Sequence, residues 1–587
     1  MLVAGLGLGA AAIAVYGATG VSGVMLTLWL AALVVLYAFF ASHTAHLPRV
    51  SAQDLIAPGA IVLALSPLYV LGLHDLPVQV GSDEISVMTA AERVAADWGA
   101  DPFGLSYYLG HPTLLFLVWG TIGEAVGGID LSTMRLLHGL SGLLAIAVAY
   151  LLFRQLLPRR WAVVATAVLG LNHSLFMLSR MAMRENTVVL VEVAALALLV
   201  RGLKHGAPLH TFLGGVVAGL GFYVYFPARA VFPIWLLFLA SLAVWFRSVF
   251  PLAKIARLGA IGLAGCVLVA GPVIVASLKA TPEQNAQQRE ALLVFPEARE
   301  LQKDWVFASS EAAGYTKNVR YGLTAFNNRV QDHAWNYPNG GHGFVDPLTG
   351  ALLWLGVAVV TVRLIRSRAD PWPLLPLASF LVLWLALALL VNKAPNYPRL
   401  LITLPFVAYL VTEAIRSIAG LFPRLYRSDQ VDRSRLVRVA VAVLLVGAIA
   451  AWNLTIASDF VERGRAAGDD IVSTGRYIES LRDRPGITFH MAASDAWPYY
   501  VWGFPWMWID RMRLFAHEGQ VHDIVRPDRT AAFSARTPFV LFMSRDLWAR
   551  AGAALERRYP QGGLENVVPD GKLVAFRTAT RPARSRP

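Results

Sequence analysis

The chain of 587 residues is 56% hydrophobic and only 15% charged, and its mean hydropathy is +0.54. A soluble protein carries about a quarter charged residues, so this composition excludes an ordinary soluble chain. The net charge of +13 does not indicate nucleic-acid binding, because Lys and Arg cluster between apolar runs, as the positive-inside rule describes. The single cysteine, Cys266, excludes a disulfide within the chain.

Apolar runs of about 20 residues, enough to cross a hydrocarbon core of roughly 30 Å, recur along the sequence. We predict a polytopic α-helical membrane protein with about thirteen transmembrane helices, its N-terminus inside and its C-terminus outside. The predicted spans lie near 3–18, 21–42, 55–73, 132–153, 161–178, 186–202, 209–226, 229–246, 256–277, 348–364, 372–391, 399–418 and 436–455.

The apolar stretch 112–126 decides the topology. It is short for a span and contains Glu124. If it lies in the interface instead of crossing, the main basic segments all fall on one side of the membrane, as the positive-inside rule requires. These segments are 154–160, 201–204, 247–257, 363–368 and 416–438. We therefore predict a non-spanning helix here.

Three domains are predicted. Residues 1–54 form a transmembrane hairpin with a cytoplasmic link, 55–458 form the main transmembrane module, and 459–587 form a small extracytoplasmic α/β domain. The main module has two large outer loops, 74–131 and 279–344.

Several elements outside the spans can be predicted from periodicity and turn residues. In the second outer loop these are a helix over 282–304 and a turn over 336–341. In the tail they are helices over 469–481 and 545–558 and strands over 487–492, 539–542 and 573–577.

An acidic pair, Asp83-Glu84, follows the third apolar run and begins an amphipathic stretch. A carboxylate at the membrane surface could accept a proton from an attacking hydroxyl, which is the work of a general base. The alternative is an acidic turn that caps a surface helix.

Cationic and aromatic residues collect in the other predicted outer turns. They are Tyr108, His111, Arg180, Arg184, Tyr225, Arg229, Lys393, Tyr397 and Arg399, together with the acidic Glu185. Cations at the outer surface suit an anionic lipid phosphate, which they bind by charge-assisted hydrogen bonds. Alternatively, each Arg or Lys simply extends from a helix end to the lipid headgroups. No cluster has convincing metal-ligand spacing.

Glu192 lies inside an apolar run. Carboxylates within the membrane are costly and often functional. The alternatives are a structural hydrogen bond to a neighbouring helix or a protonated side chain.

The order of these motifs resembles the GT-C class of membrane glycosyltransferases. The likeness rests on Asp83-Glu84, the stretch 108–115, Arg135-Leu136-Leu137 and the turn 179–185, and it covers about residues 55–460. It is strongest to the branch of protein O-mannosyltransferases and bacterial lipid A aminoarabinose transferases. The chain departs from that pattern at Ile85-Ser86 and at Glu185, where Asp is usual.

The resemblance implies an inverting transferase that takes a sugar from a polyprenyl-phosphate donor on the extracytoplasmic face, with no cofactor. Asp83 matches the general base of the family and Glu84 its partner. The donor phosphate would lie among Arg180, Arg184, Lys393 and Arg399, and the remaining outer residues named above would contact substrate. The acceptor would be a hydroxyl of a lipid, a glycan or a protein.

Two other classes remain open at this point. A transporter or lipid flippase would line a path through several spans with charged residues. A relative that has lost catalysis would act as a scaffold.

Overall fold

The computed structural model describes most of the chain. Its gaps are 45–50, 78–79, 81, 98, 107–109, 328–341, 368, 426–430, 468–469, 493–511, 514, 518, 523, 536–537, 569–572 and 579–587. The predicted turn at 336–341 and Tyr108 lie outside the described residues.

Most of the described chain is helical. The helices of the first two-thirds are α1 Leu2–Thr19, α2 Gly23–Ser42, α3 Ala52–Val70, α4 Ser82–Ala96, α5 Thr113–Val126, α6 Leu131–Leu156, α7 Arg159–Leu171, α8 His173–Ser179, α9 Thr187–His205, α10 Pro208–Leu220, α11 Val231–Trp245, α12 Leu252–Lys279, α13 Pro282–Ala291, α14 Pro296–Trp305, α15 Glu311–Thr324, α16 Pro347–Arg366 and α17 Leu374–Leu390. The later helices are α18 Tyr397–Leu400, α19 Leu404–Leu425, α20 Val431–Ala467, α21 Asp470–Glu479 and α22 Arg545–Arg558.

The polytopic helical fold is confirmed. Among the described residues, ten helices are long and apolar enough to cross a membrane, and α7 with α8, bent by 59°, would make an eleventh span. Helix α17 covers another predicted span but is shorter, with 17 residues. The count of thirteen therefore stays a prediction. Helix α5 has 14 residues, about 21 Å at 1.5 Å per residue, which agrees with a non-spanning helix.

The chain divides into two compact units. The first comprises Met1–Leu73, Ala90–Ile122 and Arg135–Phe460. The second comprises His74–Thr89, Gly123–Met134 and Val461–Pro587. The segment that carries Asp83 and Glu84 thus packs with the tail, whereas the sequence assigned it to the transmembrane module. The three predicted domains stay a prediction.

Helices in the first unit approach each other closely at glycines. A Cβ at Gly215 of α10 would lie 2.0 Å from the carbonyl oxygen of Gly262 in α12. Small residues at a helix interface allow this backbone contact in membranes. On the other side of α12, Trp29 of α2 donates a hydrogen bond of 2.9 Å to the carbonyl of Leu268. The N-terminal hairpin is thereby packed into the unit.

The second outer loop is helical, but not as one helix. The predicted helix over 282–304 is two helices, α13 and α14, because the chain is extended at Phe295 before Pro296. Proline disfavours helical backbone at the residue before it. The third helix, α15, was missed by the sequence reasoning.

The second unit contains a four-stranded sheet. Its strands are β1 Thr488–Met491, β2 Phe539–Ser544, β3 Gly563–Asn566 and β4 Leu573–Arg577, in the order β1-β2-β4-β3. Strands β1 and β2 are parallel, and the other pairs are antiparallel. Strand β2 is buried along its whole length. The predicted tail strands and helices are confirmed within three residues, but β3 was missed because its sequence Gly-Leu-Glu-Asn is largely exposed and polar.

A histidine pair lies at one end of this sheet. The ring of His490 stacks on that of His522 at 4.9 Å, and its Nε2 lies 3.0 Å from Oγ1 of Thr488. Burial, with the neighbouring His522, lowers the pKa of His490 to about 4. Protonation of His490 in the folded sheet is therefore unfavourable.

We expect the tail unit to lose stability as the pH falls from about 6.5 towards 4. In this window His490 takes up a proton in the unfolded chain but stays neutral in the folded chain. The change should approach about 3 kcal/mol at pH 4, since each pKa unit is worth 1.36 kcal/mol. Thermal unfolding of the full chain at several pH values measures it, and a His490→Asn variant should show a shallower acid loss. Equal pH slopes would contradict this expectation.

Candidate active site

Two arginines hold the end of α3. Arg180 donates hydrogen bonds of 2.7 Å from Nη1 to the carbonyl of Leu68 and from Nη2 to that of Leu71. Arg135, fully buried, donates from Nη1 to the carbonyl of Leu73 at 2.9 Å. The last carbonyls of a helix have no partner within the helix, so a buried helix end needs such donors. We call this arrangement the arginine clamp.

Local sequence explains why Arg180 stands at this place. Helix α7 ends at Leu171, and the side chain of Asn172 accepts hydrogen bonds from the backbone of Ser174 and Leu175 to begin α8. Asparagine is a favoured N-cap residue, so the local sequence favours the start of a new helix at this bend. Helix α8 has only seven residues, and Arg180 lies at its C-terminus.

Four of the predicted site residues meet in one buried cluster. Nη2 of Arg184 lies 3.6 Å from a carboxylate oxygen of Glu185, and both side chains are nearly inaccessible. The Arg184 guanidinium carbon lies 5.1 Å from the centre of the Tyr225 ring. Nε of Arg399 donates a hydrogen bond of 3.4 Å to the hydroxyl oxygen of Tyr225. We call these four residues the arginine–tyrosine cluster.

The turn that carries Arg399 is held by amide side chains. Nη1 of Arg399 donates to the carbonyl of Asn392 at 2.7 Å and to its side-chain oxygen at 2.9 Å. Asn392 in turn donates to the carbonyl of Glu290. Asn318 of α15 accepts a hydrogen bond from the backbone of Ala394 and donates to the carbonyls of Ala388 and Val391.

The backbone at Lys393 is unusual in the same turn. Its φ of +57° lies in the left-handed region, which non-glycine residues seldom adopt. Its backbone N–H donates to Oε1 of Gln302 at 2.5 Å. Helices α14 and α15 of the outer loop thus fix this turn through Gln302 and Asn318. Neither residue was singled out from the sequence, since nothing local marks an amide as a partner of a distant turn.

A second buried network joins the end of the outer loop to the helices. Tyr397 donates from its hydroxyl to the carbonyl of His342 at 2.6 Å. Asn453 of α20 donates to Asp346 at 2.7 Å and accepts from the backbone of His173 at 2.7 Å. Asp346 also caps α16. The sequence reasoning missed Asn453, although a lone amide in an apolar run is a signal that could have found it.

The acidic pair lies in the first turn of α4, where the helix dipole favours negative charge. Asp83 is partly buried and Glu84 is 1% exposed. His111 is also buried, and its carbonyl accepts a hydrogen bond of 2.7 Å from the backbone N–H of Ser106. The guanidinium carbon of Arg229 lies 6.0 Å from the ring of Phe222.

Glu192 is fully buried in α9. Within the part of the chain that the structure describes, neither of its carboxyl oxygens has a hydrogen-bond partner. A buried ionised carboxylate without a partner is very costly, so a neutral carboxyl fits this position.

The segment that leads to Asp83 is fastened to the tail within the second unit. Arg476 of α21 forms an ion pair of 2.8 Å with Asp75 and donates to the carbonyl of His74 at 3.3 Å. The next residue in α21, Tyr477, donates to Glu565 of β3 at 2.6 Å. A continuous chain of contacts therefore runs from the sheet to the residues shortly before Asp83.

Part of the chain matches a known protein family. The family model described as dolichyl-phosphate-mannose-protein mannosyltransferase matches residues 111–269. The search of curated proteins found no match.

Solved structures share the fold. The chain is similar to the Archaeoglobus fulgidus oligosaccharyltransferase tethered with an acceptor peptide, with a TM-score of 0.51, 13% identity and coverage of 91% of this chain and 74% of that one. The apo form of the same protein matches with a TM-score of 0.51, 14% identity and the same coverage. ArnT from Cupriavidus metallidurans, bound to undecaprenyl phosphate, matches with a TM-score of 0.49, 15% identity and coverage of 90% and 98%.

The family match over residues 111–269 and the shared fold confirm the resemblance to the GT-C class of membrane glycosyltransferases, and the apolar helices are those of an integral membrane protein. The transporter and scaffold alternatives have no comparable support. Among the described residues, no group of three or more His, Cys, Asp or Glu side chains is arranged to hold a metal ion.

The arginine clamp gives a stability prediction. Arg180→Gln should lower the unfolding temperature in detergent, because the carbonyls of Leu68 and Leu71 lose their charged donor, at a cost of about 3 kcal/mol. Arg320→Gln, which changes an exposed arginine of α15, is the control and should leave it unchanged. If both variants unfold at the wild-type temperature, the clamp does not stabilise the end of α3.

Proposed function

We propose that the protein transfers a sugar from a polyprenyl-phosphate donor to an acceptor hydroxyl on the extracytoplasmic face of the membrane. The observation that carries this proposal is the arginine–tyrosine cluster. There, residues from three distant stretches of chain place two guanidinium groups around one phenol. Guanidinium groups suit the geometry of phosphate oxygens and keep their charge when buried.

The nature of the donor is supported by the family whose model matches residues 111–269, since its description names a dolichyl-phosphate sugar. A polyprenyl-phosphate donor also suits an enzyme whose cations lie near the ends of apolar helices. The donor would reach these cations from within the bilayer, and its phosphate would stay near the interface.

The phosphate is assigned to Arg184, Arg399 and Lys393 in preference to Arg180. Both terminal nitrogens of Arg180 already donate to carbonyl groups of the chain. That arrangement favours a structural role for Arg180, which the sequence had placed with the phosphate ligands. Glu185 and Tyr225 fix the orientation of Arg184 and Arg399, and Tyr108, His111, Arg229 and Tyr397 are kept as substrate contacts.

The reaction needs one proton transfer and one substitution. Asp83 removes the proton of the acceptor hydroxyl as its oxygen forms a bond to the anomeric carbon. The bond between that carbon and the phosphate oxygen breaks, and the phosphate leaves with an additional negative charge. Fixed cations stabilise this charge where it develops. Attack from the face opposite the leaving phosphate inverts the anomeric configuration, and Glu84 assists Asp83.

Asp83→Asn tests the assignment of the base. The amide cannot accept the proton, so transfer should fall by about 100-fold or more, whereas binding of the lipid donor should persist. Mass spectrometry of products formed from a panel of polyprenyl-phosphate sugars, starting with mannose, measures transfer. NMR of the product should show the inverted anomer.

The matched control is Asp97→Asn, which changes an exposed acid just after the same helix and should retain activity. Wild-type rates in Asp83→Asn would rule out Asp83 as the base. A retained anomeric configuration would rule out the single displacement.

Arg476 offers a separate test of the tail. The ion pair between Arg476 and Asp75 is exposed, so its loss should cost little stability. Arg476→Gln should therefore reduce kcat only about twofold to fivefold, with donor KM nearly unchanged. Arg476→Lys should recover part of the loss, and Arg484→Gln, on an exposed turn nearby, serves as control. A change in KM alone would contradict a role in positioning the segment before Asp83.

A further inference from the structure

The N-terminal hairpin, α1 with α2, lies before residue 111, where the family match begins, and it has no part in the transfer mechanism proposed above. One of its tyrosines is bound to a polar loop. Near the end of α1, the hydroxyl of Tyr16 donates a hydrogen bond of 2.7 Å to Oδ2 of Asp101. Tyrosines are common at membrane interfaces, where they contact headgroups and water. This hydroxyl instead makes a charge-assisted hydrogen bond, which is stronger than a neutral one, to a carboxylate 85 residues away.

Asp101 also determines the local backbone of the loop. Its Oδ1 accepts a hydrogen bond of 2.8 Å from the N–H of Phe103, and its carbonyl accepts one of 3.1 Å from the N–H of Gly104. Aspartate favours such turns because its side chain accepts from the backbone two residues further on. One carboxylate oxygen therefore shapes the turn, and the other fastens the turn to α1.

The turn leads directly to His111, a proposed substrate contact. The carbonyl of Gly104 accepts a hydrogen bond of 3.0 Å from the N–H of Thr113. The carbonyl of His111 accepts one of 2.7 Å from the N–H of Ser106. The two arms of the loop are thus paired in antiparallel fashion. The position of Asp101 is passed to His111 through backbone hydrogen bonds alone.

Phe103, in the same turn, is buried against the hairpin. Its ring contacts the rings of Tyr16, Trp29 and Tyr223 edge to face, with centres 5.9, 5.3 and 6.2 Å apart. Such edge-to-face pairs are a favoured aromatic geometry. Trp29 and Tyr223 in turn donate hydrogen bonds of 2.9 and 2.8 Å to backbone carbonyls of α12. One ring therefore anchors the loop to both helices of the hairpin.

The loop meets α13 on another side. Gly110 has a φ of +67°, and a Cβ there would lie 2.0 Å from the carbonyl oxygen of Gln284 in α13. Backbone is therefore in contact with backbone at this point. The other end of α13 is held in place by the N–H of Asn392, which donates a hydrogen bond of 3.0 Å to the carbonyl of Ala291. The loop thus lies between two fixed surfaces, the hairpin and α13.

We propose that the N-terminal hairpin positions the loop 101–113 for the transfer reaction. Tyr16 and Asp101 are positioning residues that act through His111. This inference rests on the transfer function proposed above. Its physical basis is that a contact misplaced by about 1 Å can slow a reaction by up to about 100-fold.

Tyr16→Phe in the full chain tests the proposal, because it removes one hydroxyl and keeps the ring that contacts Phe103. Hydrogen–deuterium exchange of the loop 101–113 should become at least about threefold faster, since its amides open more often. The kcat of transfer should fall about threefold to tenfold. Donor KM should stay within about twofold, because the cations assigned to the phosphate are unchanged.

The matched control is Tyr37→Phe, which removes an exposed hydroxyl from the same hairpin and should change neither exchange nor kcat. A second variant, Asp101→Ala, should slow transfer at least as much as Tyr16→Phe does. Adding Tyr16→Phe to Asp101→Ala should cause no further loss, because both changes remove the same hydrogen bond. Additive losses would contradict the proposal.

The exchange and transfer measurements separate the remaining outcomes. Unchanged exchange in Tyr16→Phe would overturn the hold of the hairpin on the loop. Faster exchange with the wild-type kcat would overturn the role of that hold in transfer. If the wild type transfers no sugar but Tyr16→Phe still exchanges faster, the proposed function is rejected, and the hold of the hairpin on the loop is supported.

Discussion

The arginine clamp is the constraint on which the end of α3, and the packing of α6 and α8 around it, depends. Helix α3 contains Pro67 near its end, and the chain leaves it through carbonyls that no residue within the helix can satisfy. Arg180 and Arg135 reach these carbonyls from α8 and α6. A guanidinium is suited to this task because its donors form a planar fork and its charge persists when buried. Three helices are thereby joined where the polar loops begin.

The same solution recurs across the candidate site with neutral side chains. Asn318, Asn392 and Asn453 each join segments that are far apart in sequence, and each is buried. Buried polar networks are stable only when their members are satisfied, and they then impose one geometry. Such rigidity suits the proposed stabilisation of a leaving phosphate, because fixed donors need no reorganisation as charge develops.

The tail contacts the segment that leads to the proposed base, Asp83. The helix that follows α20 contacts His74 and Asp75 on one side and β3 on the other. The contacts of Arg476 are exposed and individually weak, whereas the hydrogen bond from Tyr477 to Glu565 is partly buried. Protonation of His490 in acid would destabilise the same unit through its sheet.

The sequence by itself determined the membrane class, the approximate spans, the tail elements and the collection of cations in turns between the helices. Each of these follows from local periodicity, length or composition. Only the tertiary structure decided which cations meet. Arg399 and Tyr225 are 174 residues apart, and their contact depends on how α9, α10 and the outer loop pack. Likewise, Arg180 and Arg184 look alike in sequence, but the clamp engages the first with backbone carbonyls, whereas the second lies against Tyr225. Helical periodicity specifies which residues face inward, but the partner that each buried charge finds is set by long-range packing.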